Sequence, residues 1–181
     1  MKGIILFSNL MEDVEALGTA ALLKRAGLEL SSATFEDTLE LQTAFQQSVK
    51  ADRFASVEDA DHHDFLVIPG GPYVKRSVDD DKWIKTLARR FHEQGKLVAA
   101  ICAGPRFLGQ AGLLANKRFT CFTGSEQDAP DGIHRPEEKA VTDGNIVTAR
   151  GAGAIYDFAH AIVTWTLGGE QADQLLSDIL Y

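Results

Sequence analysis

The chain has 181 residues, 45% hydrophobic and 24% charged, an ordinary globular composition long enough for a full core, which excludes disordered and fibrous classes. Acidic residues outnumber basic ones 26 to 18, for a net charge of −8, so general affinity for nucleic acid or an anionic membrane is excluded and a small or neutral partner is expected. Cys102 and Cys121 show neither CxxC nor Cys/His ligand spacing, which argues against a disulfide framework or zinc site and suits a reducing cytoplasm, and the apolar start Ile4-Ile5-Leu6-Phe7 is too short for a signal peptide.

Gly3 to Ser8 has the apolar run of a buried strand, and Asn9-Leu10-Met11 makes the loop after it. Asp13 to Ala26 is predicted as a helix with Val14, Leu17, Ala21 and Leu22 on its inner face, Lys24-Arg25 at the negative end of its dipole and Gly27 as C-cap. Leu28 to Phe35 follows as a strand, which the right-handed crossover rule sets parallel to the first. Leu39, Leu41, Thr43 and Phe45 alternate as in an exposed hairpin, and Ser56 to Asp59 forms a single helical turn. Phe65 to Ile68 is a third buried strand, ended by Pro69-Gly70-Gly71-Pro72, whose glycines permit close backbone approach. Asp79-Asp80-Asp81 caps a helix that turns Trp83, Ile84, Leu87, Ala88 and Phe91 toward the sheet.

Leu97 to Ile101 is a fourth strand, bounded by Gly95 and Gly104 and apolar throughout, as in a parallel strand buried on both faces. Arg118 to Phe122 alternates like a further strand, and Ala140 to Thr142 with Ile146 to Thr148 form a hairpin about Asp143-Gly144. Ala152 to Leu167 and Glu170 to Leu180 are closing helices separated by Gly168-Gly169. This alternation predicts a single domain over residues 1–181, an α/β doubly wound, three-layer α/β/α sandwich on a mostly parallel sheet.

Ligands of such sheets gather at the carboxyl ends of the strands. There the fourth strand stops on Cys102 and turns through Ala103-Gly104-Pro105 into a helix, the layout of a nucleophile elbow. Free N–H groups and the helix dipole would favour a thiolate at Cys102, the alternative being a buried structural cysteine. Glu12, Asp13 and Glu15 read equally as complements to a helix N-terminus or, for Glu15, as an acid projecting inward, where desolvation and a thiolate would raise its pKa and make it a proton donor. His62-His63, between Asp61 and Asp64, lie on a short loop whose side chains are expected in water, so no metal is assigned. His160 is expected to pack on its helix or at an interface, and Cys121 to fill a core or interface. Gly151-Ala152-Gly153 lacks the third glycine of a dinucleotide motif, its place being taken by Tyr156.

Glu12-Asp13-Val14-Glu15, Lys24-Arg25-Ala26-Gly27, Val67-Ile68-Pro69-Gly70-Gly71, Ala99-Ala100-Ile101-Cys102-Ala103-Gly104-Pro105 and Thr148-Ala149-Arg150-Gly151 together resemble the ThiJ/PfpI superfamily, most of all its DJ-one branch, over essentially the whole chain. The resemblance implies a flavodoxin-like sandwich, usually a homodimer, with Cys102 as nucleophile, Glu15 as its protonated partner and the N–H groups of Gly71 and Ala103 as an oxyanion hole. It implies a cofactor-free glyoxalase or deglycase acting on small carbonyls, or alternatively an oxidant sensor or chaperone-like protein in which Cys102 becomes a sulfinate. The sequence departs from that branch in one respect: Phe122 stands where the branch carries a histidine near the cysteine. His134, in the loop from Gly124 to Glu138, is the candidate auxiliary base, with a solvated loop position as its alternative.

Overall fold

The computed structural model describes residues 1–181. A seven-stranded sheet runs through the middle, made of β1 (Lys2–Leu6), β2 (Glu29–Thr34), β3 (Arg53–Phe54), β4 (Phe65–Ile68), β5 (Leu97–Ile101), β6 (Ala140–Asp143) and β7 (Ile146–Ala149). Their spatial order is β6-β7-β5-β4-β1-β2-β3, every pair parallel except β6 with β7. The helices are α1 (Thr19–Arg25), α2 (Pro72–Ser77), α3 (Trp83–Glu93), α4 (Pro105–Gln110), α5 (Ile155–Leu167) and α6 (Gly169–Asp178). α1, α5 and α6 pack together on one face of the sheet, while α3 and α4 cover the other. This is the flavodoxin-like sandwich expected, with the chain reversing its direction of winding between β1 and β4, where open α/β sheets leave a crevice. No helix is long and apolar enough to cross a membrane.

The centre of the sheet follows from hydrophobicity. Every residue of β4 and β5 is buried, and each large aliphatic side chain gains roughly 1.5–3 kcal/mol on leaving water, so these two strands hold the middle. α3 presents Ile84, Leu87, Ala88 and Phe91 to them, and the Asp81 carboxylate accepts the free N–H groups of Ile84 (3.0 Å) and Lys85 (3.3 Å) at its start. Trp83 departs from the expected stripe: it is exposed and stacks on Phe35, with centroids 6.3 Å apart. The hairpin predicted after β2 is present as Glu40–Gln42 paired with Ser48–Lys50, and the chain then adds β3 beside β2, an edge strand the sequence pattern did not show.

The first helix differs in a way that matters for the site. Val14–Gly18 winds as a π-helical turn before α1 begins, and the extra residue in that turn rotates the buried face. Glu15, Ala16, Thr19, Leu22 and Leu23 point inward, whereas Val14 and Ala21, expected inside, are exposed. The strand predicted over residues 118–122 is shortened to Arg118–Phe119 and pairs in parallel with Ile133–His134 outside the main sheet. His63 is buried rather than solvated, its Nδ1 lying 2.9 Å from the Asp59 carbonyl. His160 reaches the Asp173 carboxylate at 2.9 Å.

Candidate active site

Cys102 follows directly on β5 with φ 61°, the left-handed region that a residue with a Cβ enters at a cost of roughly 1–3 kcal/mol. Three backbone hydrogen bonds hold it there. Its N–H donates to the Ala149 carbonyl (2.8 Å), its carbonyl accepts from the Phe122 N–H (2.8 Å), and the Gly104 N–H closes the turn on the Ile101 carbonyl (2.8 Å). The thiol is thereby fixed above the sheet at the head of α4.

Glu15 is 1% exposed, carried inward by the π turn, and its Oε2 accepts the Gly70 N–H at 2.9 Å. Burial pushes its pKa up to about 7; the Cys102 thiol and the N–H groups of Gly70 and Ala152 pull the other way, and Glu12 adds to the rise. Burial also pushes the Cys102 thiol up, the Glu15 charge reinforces this, and the Ala103 N–H opposes it. The dipole-favoured free thiolate expected at Cys102 is therefore corrected: α4 has only six residues, and desolvation beside a carboxylate outweighs it. The two groups titrate as a pair. Ionising either one raises the other's affinity for a proton, so above neutral pH the pair holds one proton between them, which passes from sulfur to Glu15 as the sulfur attacks.

Gly70 is the meeting point. A Cβ there would lie 2.7 Å from Cys102 Cβ and 2.7 Å from Glu15 Oε2, so only glycine lets the two functional side chains approach. At Gly71, φ is +124° and a Cβ would lie 2.5 Å from the Leu10 carbonyl oxygen. Neither Gly71 nor Ala103 donates its N–H to a backbone carbonyl, which leaves both available to an anion. Gly70→Ala is expected to force these groups apart, costing about 1–3 kcal/mol in chemical denaturation and most of the reactivity of Cys102. An unchanged unfolding midpoint with unchanged alkylation would contradict it.

A cavity of about 780 Å³ opens above the pair, lined among others by Glu12, Phe122, Arg150 and Gly151. The structure thus places Cys102, Glu15 and the Ala103 N–H around Gly70. No hydrogen bond joins His134 to Cys102. The His134 ring lines the same cavity as Cys102, and its Nε2 lies 3.8 Å from Cys121 Sγ. Cys121 is correspondingly more than core filler, since it is 4% exposed yet forms part of the cavity wall. Sequence reasoning missed the Gly70 and Ala152 N–H groups on Glu15. Gly70 lies in the Pro69-Gly70-Gly71-Pro72 turn read above as allowing close backbone approach, and Ala152 in the Gly151-Ala152-Gly153 run after β7, which lines this cavity.

Cys102 is expected to alkylate before Cys121, because it is the more exposed of the two and has the Glu15 carboxylate beside it as proton acceptor, whereas Cys121 is 4% exposed and both thiols are held up by burial. Mass mapping after brief iodoacetamide treatment reads this directly, and a first label on Cys121 would reverse it.

A cysteine strained into an elbow at the end of a central parallel strand, facing a buried carboxyl, defines a class of flavodoxin-like proteins built around a single reactive thiol. A model of the DJ-1/PfpI family matches residues 1–165, and the chain belongs to that family. It is 34% identical to Deglycase PfpI of Pyrococcus furiosus over 164 residues, covering 90% of this chain and 98% of the relative. It is 25% identical to Protein dj-1beta of Drosophila melanogaster, covering 99% and 96%. Among solved structures, oxidized Toxoplasma gondii DJ-1 superposes with a TM-score of 0.90 at 29% identity, covering 99% of this chain and 98% of that one.

Proposed function

We propose that the chain is a cysteine-dependent enzyme for small reactive carbonyls, working in the manner of a deglycase or glyoxalase with Cys102 as nucleophile and Glu15 as proton carrier. The observation that carries this reading is the Glu15 carboxyl: 1% exposed, poised at about 7 and set beside Cys102 across Gly70, it is a proton acceptor and donor matched to neutral pH. The deglycase name of the Pyrococcus relative supports the same substrate class.

For an α-oxoaldehyde the steps balance within the substrate. Sulfur adds to the aldehyde carbon as its proton passes to Glu15, a C–S bond forms, and the carbonyl electron pair moves to oxygen, held by the N–H groups of Gly71 and Ala103. Glu15 returns that proton to the oxygen, giving a neutral hemithioacetal. As a carboxylate again, it carries the proton of the former aldehyde carbon to the neighbouring carbon while the hydroxyl proton passes to the neighbour's oxygen, oxidising the first carbon and reducing the second to give a thioester. Water cleaves the thioester, releasing a hydroxy acid and restoring the thiol. Purified protein given methylglyoxal without glutathione should form lactate, and Cys102→Ser should not. No lactate from the parent protein, or equal amounts from both, overturns this reading.

A second reading is favoured by one observation: no histidine is hydrogen-bonded to Cys102, and the His134 Nε2 lies 3.8 Å from Cys121 Sγ instead. Without an imidazole, oxidation of Cys102 to a sulfinate, with protonated Glu15 donating to its oxygen, becomes the main chemistry of the site. Mass spectrometry after mild peroxide, run beside the lactate assay, separates the two.

A further inference from the structure

Cys121, Glu126 and His134 are far from any metal-ligand spacing along the chain, and sequence alone argued against a metal. Folding brings them together: one ligand atom from each lies within 4.8 Å of the other two. We propose that these three side chains form a binding site for one zinc ion, set in the wall of the cavity that Cys102 and Glu15 share.

The donor set is one thiolate, one imidazole and one carboxylate, the ligands a borderline-soft d¹⁰ cation selects and a hard cation such as Mg²⁺ does not. Tetrahedral zinc with bonds of about 2.3 Å to sulfur and about 2.0 Å to nitrogen separates those two atoms by about 3.5 Å. Cys121 Sγ and His134 Nε2 stand 3.8 Å apart, so a few tenths of an ångström bring that pair to bonding geometry, and the Glu126 carboxylate, within 4.8 Å of both, completes the set by a side-chain shift of about an ångström. Three protein ligands beside an open cavity leave the fourth position to water, the arrangement of a site accessible to exchange.

The supports around the ligands are also in place. The Gly124 N–H donates to Glu126 Oε2 at 2.7 Å and orients the carboxylate, and the His134 ring stacks on Phe119 with centroids 5.2 Å apart. The segment carrying all three is stapled by the Ile133 N–H on the Lys117 carbonyl (2.9 Å), the Arg135 N–H on the Phe119 carbonyl (2.8 Å) and the ion pair of Arg106 with Asp128. Glu12 and Glu15 line the same cavity opposite Arg150, so its charge favours a cation. Binding replaces the Cys121 S–H bond with a Zn–S bond and releases the proton to solvent. The site stands on its own geometry, whatever the reaction at Cys102.

The test is equilibrium dialysis of the metal-stripped full chain against Zn²⁺, with elemental analysis, beside the variants Cys121→Ser, His134→Ala, Glu126→Gln and Cys102→Ser. One equivalent of zinc per chain is expected for the parent and for Cys102→Ser. Since loss of an outer-shell partner weakens metal binding about 10–100-fold, Cys121→Ser and His134→Ala should each lose at least that much. Co²⁺ in place of Zn²⁺ should show a sulfur-to-cobalt charge-transfer band that Cys121→Ser removes, and Zn²⁺ should protect Cys121, not Cys102, from iodoacetamide. Zinc binding that survives Cys121→Ser, that disappears with Cys102→Ser, or that never reaches stoichiometry overturns the proposal. Circular dichroism of each variant distinguishes a lost ligand from a lost fold, and a cobalt band retained in Glu126→Gln but absent in folded Cys121→Ser still supports it.

Discussion

Glu15→Gln is expected to make the protein more stable above neutral pH and, at the same time, much less reactive. Burial raises the carboxyl from an ordinary 4.5 to about 7, so the folded state holds its proton more tightly than the unfolded state. Between those two values the native protein binds more protons, and stability must fall as pH rises. The loss is absent below about 4.5, grows through the window and is complete above 7, where a shift of this size corresponds to about 3 kcal/mol. Glutamine keeps an oxygen for the Gly70 N–H and carries no charge, so the variant escapes this cost. Urea unfolding at pH 4.5 and pH 8 should show the variant gaining stability only at the higher pH. Turnover should fall by about 10²–10⁴-fold, the usual worth of a positioned acid–base group, and its rise with pH through about 7 should vanish. A variant equally stable at both pH values, with the parent's pH profile, would return Glu15 to a plain helix-terminus role.

Phe122→His is expected to have the opposite effect on turnover. The Phe122 N–H bonds to the Cys102 carbonyl, so its side chain starts one hydrogen bond from the nucleophile, and its ring is 56% exposed at the cavity mouth. An imidazole therefore enters without leaving a core void, and it brings the proton transfer that a phenyl ring cannot perform. Lactate formation from methylglyoxal should rise by as much as about 10²–10⁴-fold, with peroxide oxidation of Cys102 retained. If the parent is already fast and the variant is no faster, Glu15 alone carries the proton transfers. If both are inactive while Cys102 oxidises readily, the site is a sensor.

The layered α/β architecture and the elbow were legible in the residues because both are local. Five consecutive apolar residues in β5 between two glycines admit little but a buried strand, and a cysteine between that strand and Gly104-Pro105 has nowhere to go but a tight turn. The same holds for the hairpin about Asp143-Gly144 and the break at Gly168-Gly169, where φ is +98° at Gly168. Motif order carried the family, since Pro69-Gly70-Gly71 and Ala-Ile-Cys-Ala-Gly-Pro in combination are specific where neither piece is.

Which face a residue occupies, and what it meets there, was decided by the tertiary structure alone. Helical periodicity assigned Val14 to the core, but a single π turn shifted the register and turned Glu15 inward instead, because winding by one extra residue leaves no mark in the apolar pattern. Cys121, Glu126 and His134 converge only because Arg118–Phe119 pairs in parallel with Ile133–His134 across a loop, and a parallel pairing has no turn signal to announce it. The electrostatics of Cys102 likewise depend on what folding placed beside it. A short helix favours the thiolate weakly, and burial against Glu15 opposes it strongly, so the proton the nucleophile must lose is shared with a side chain 87 positions away in a chain of 181.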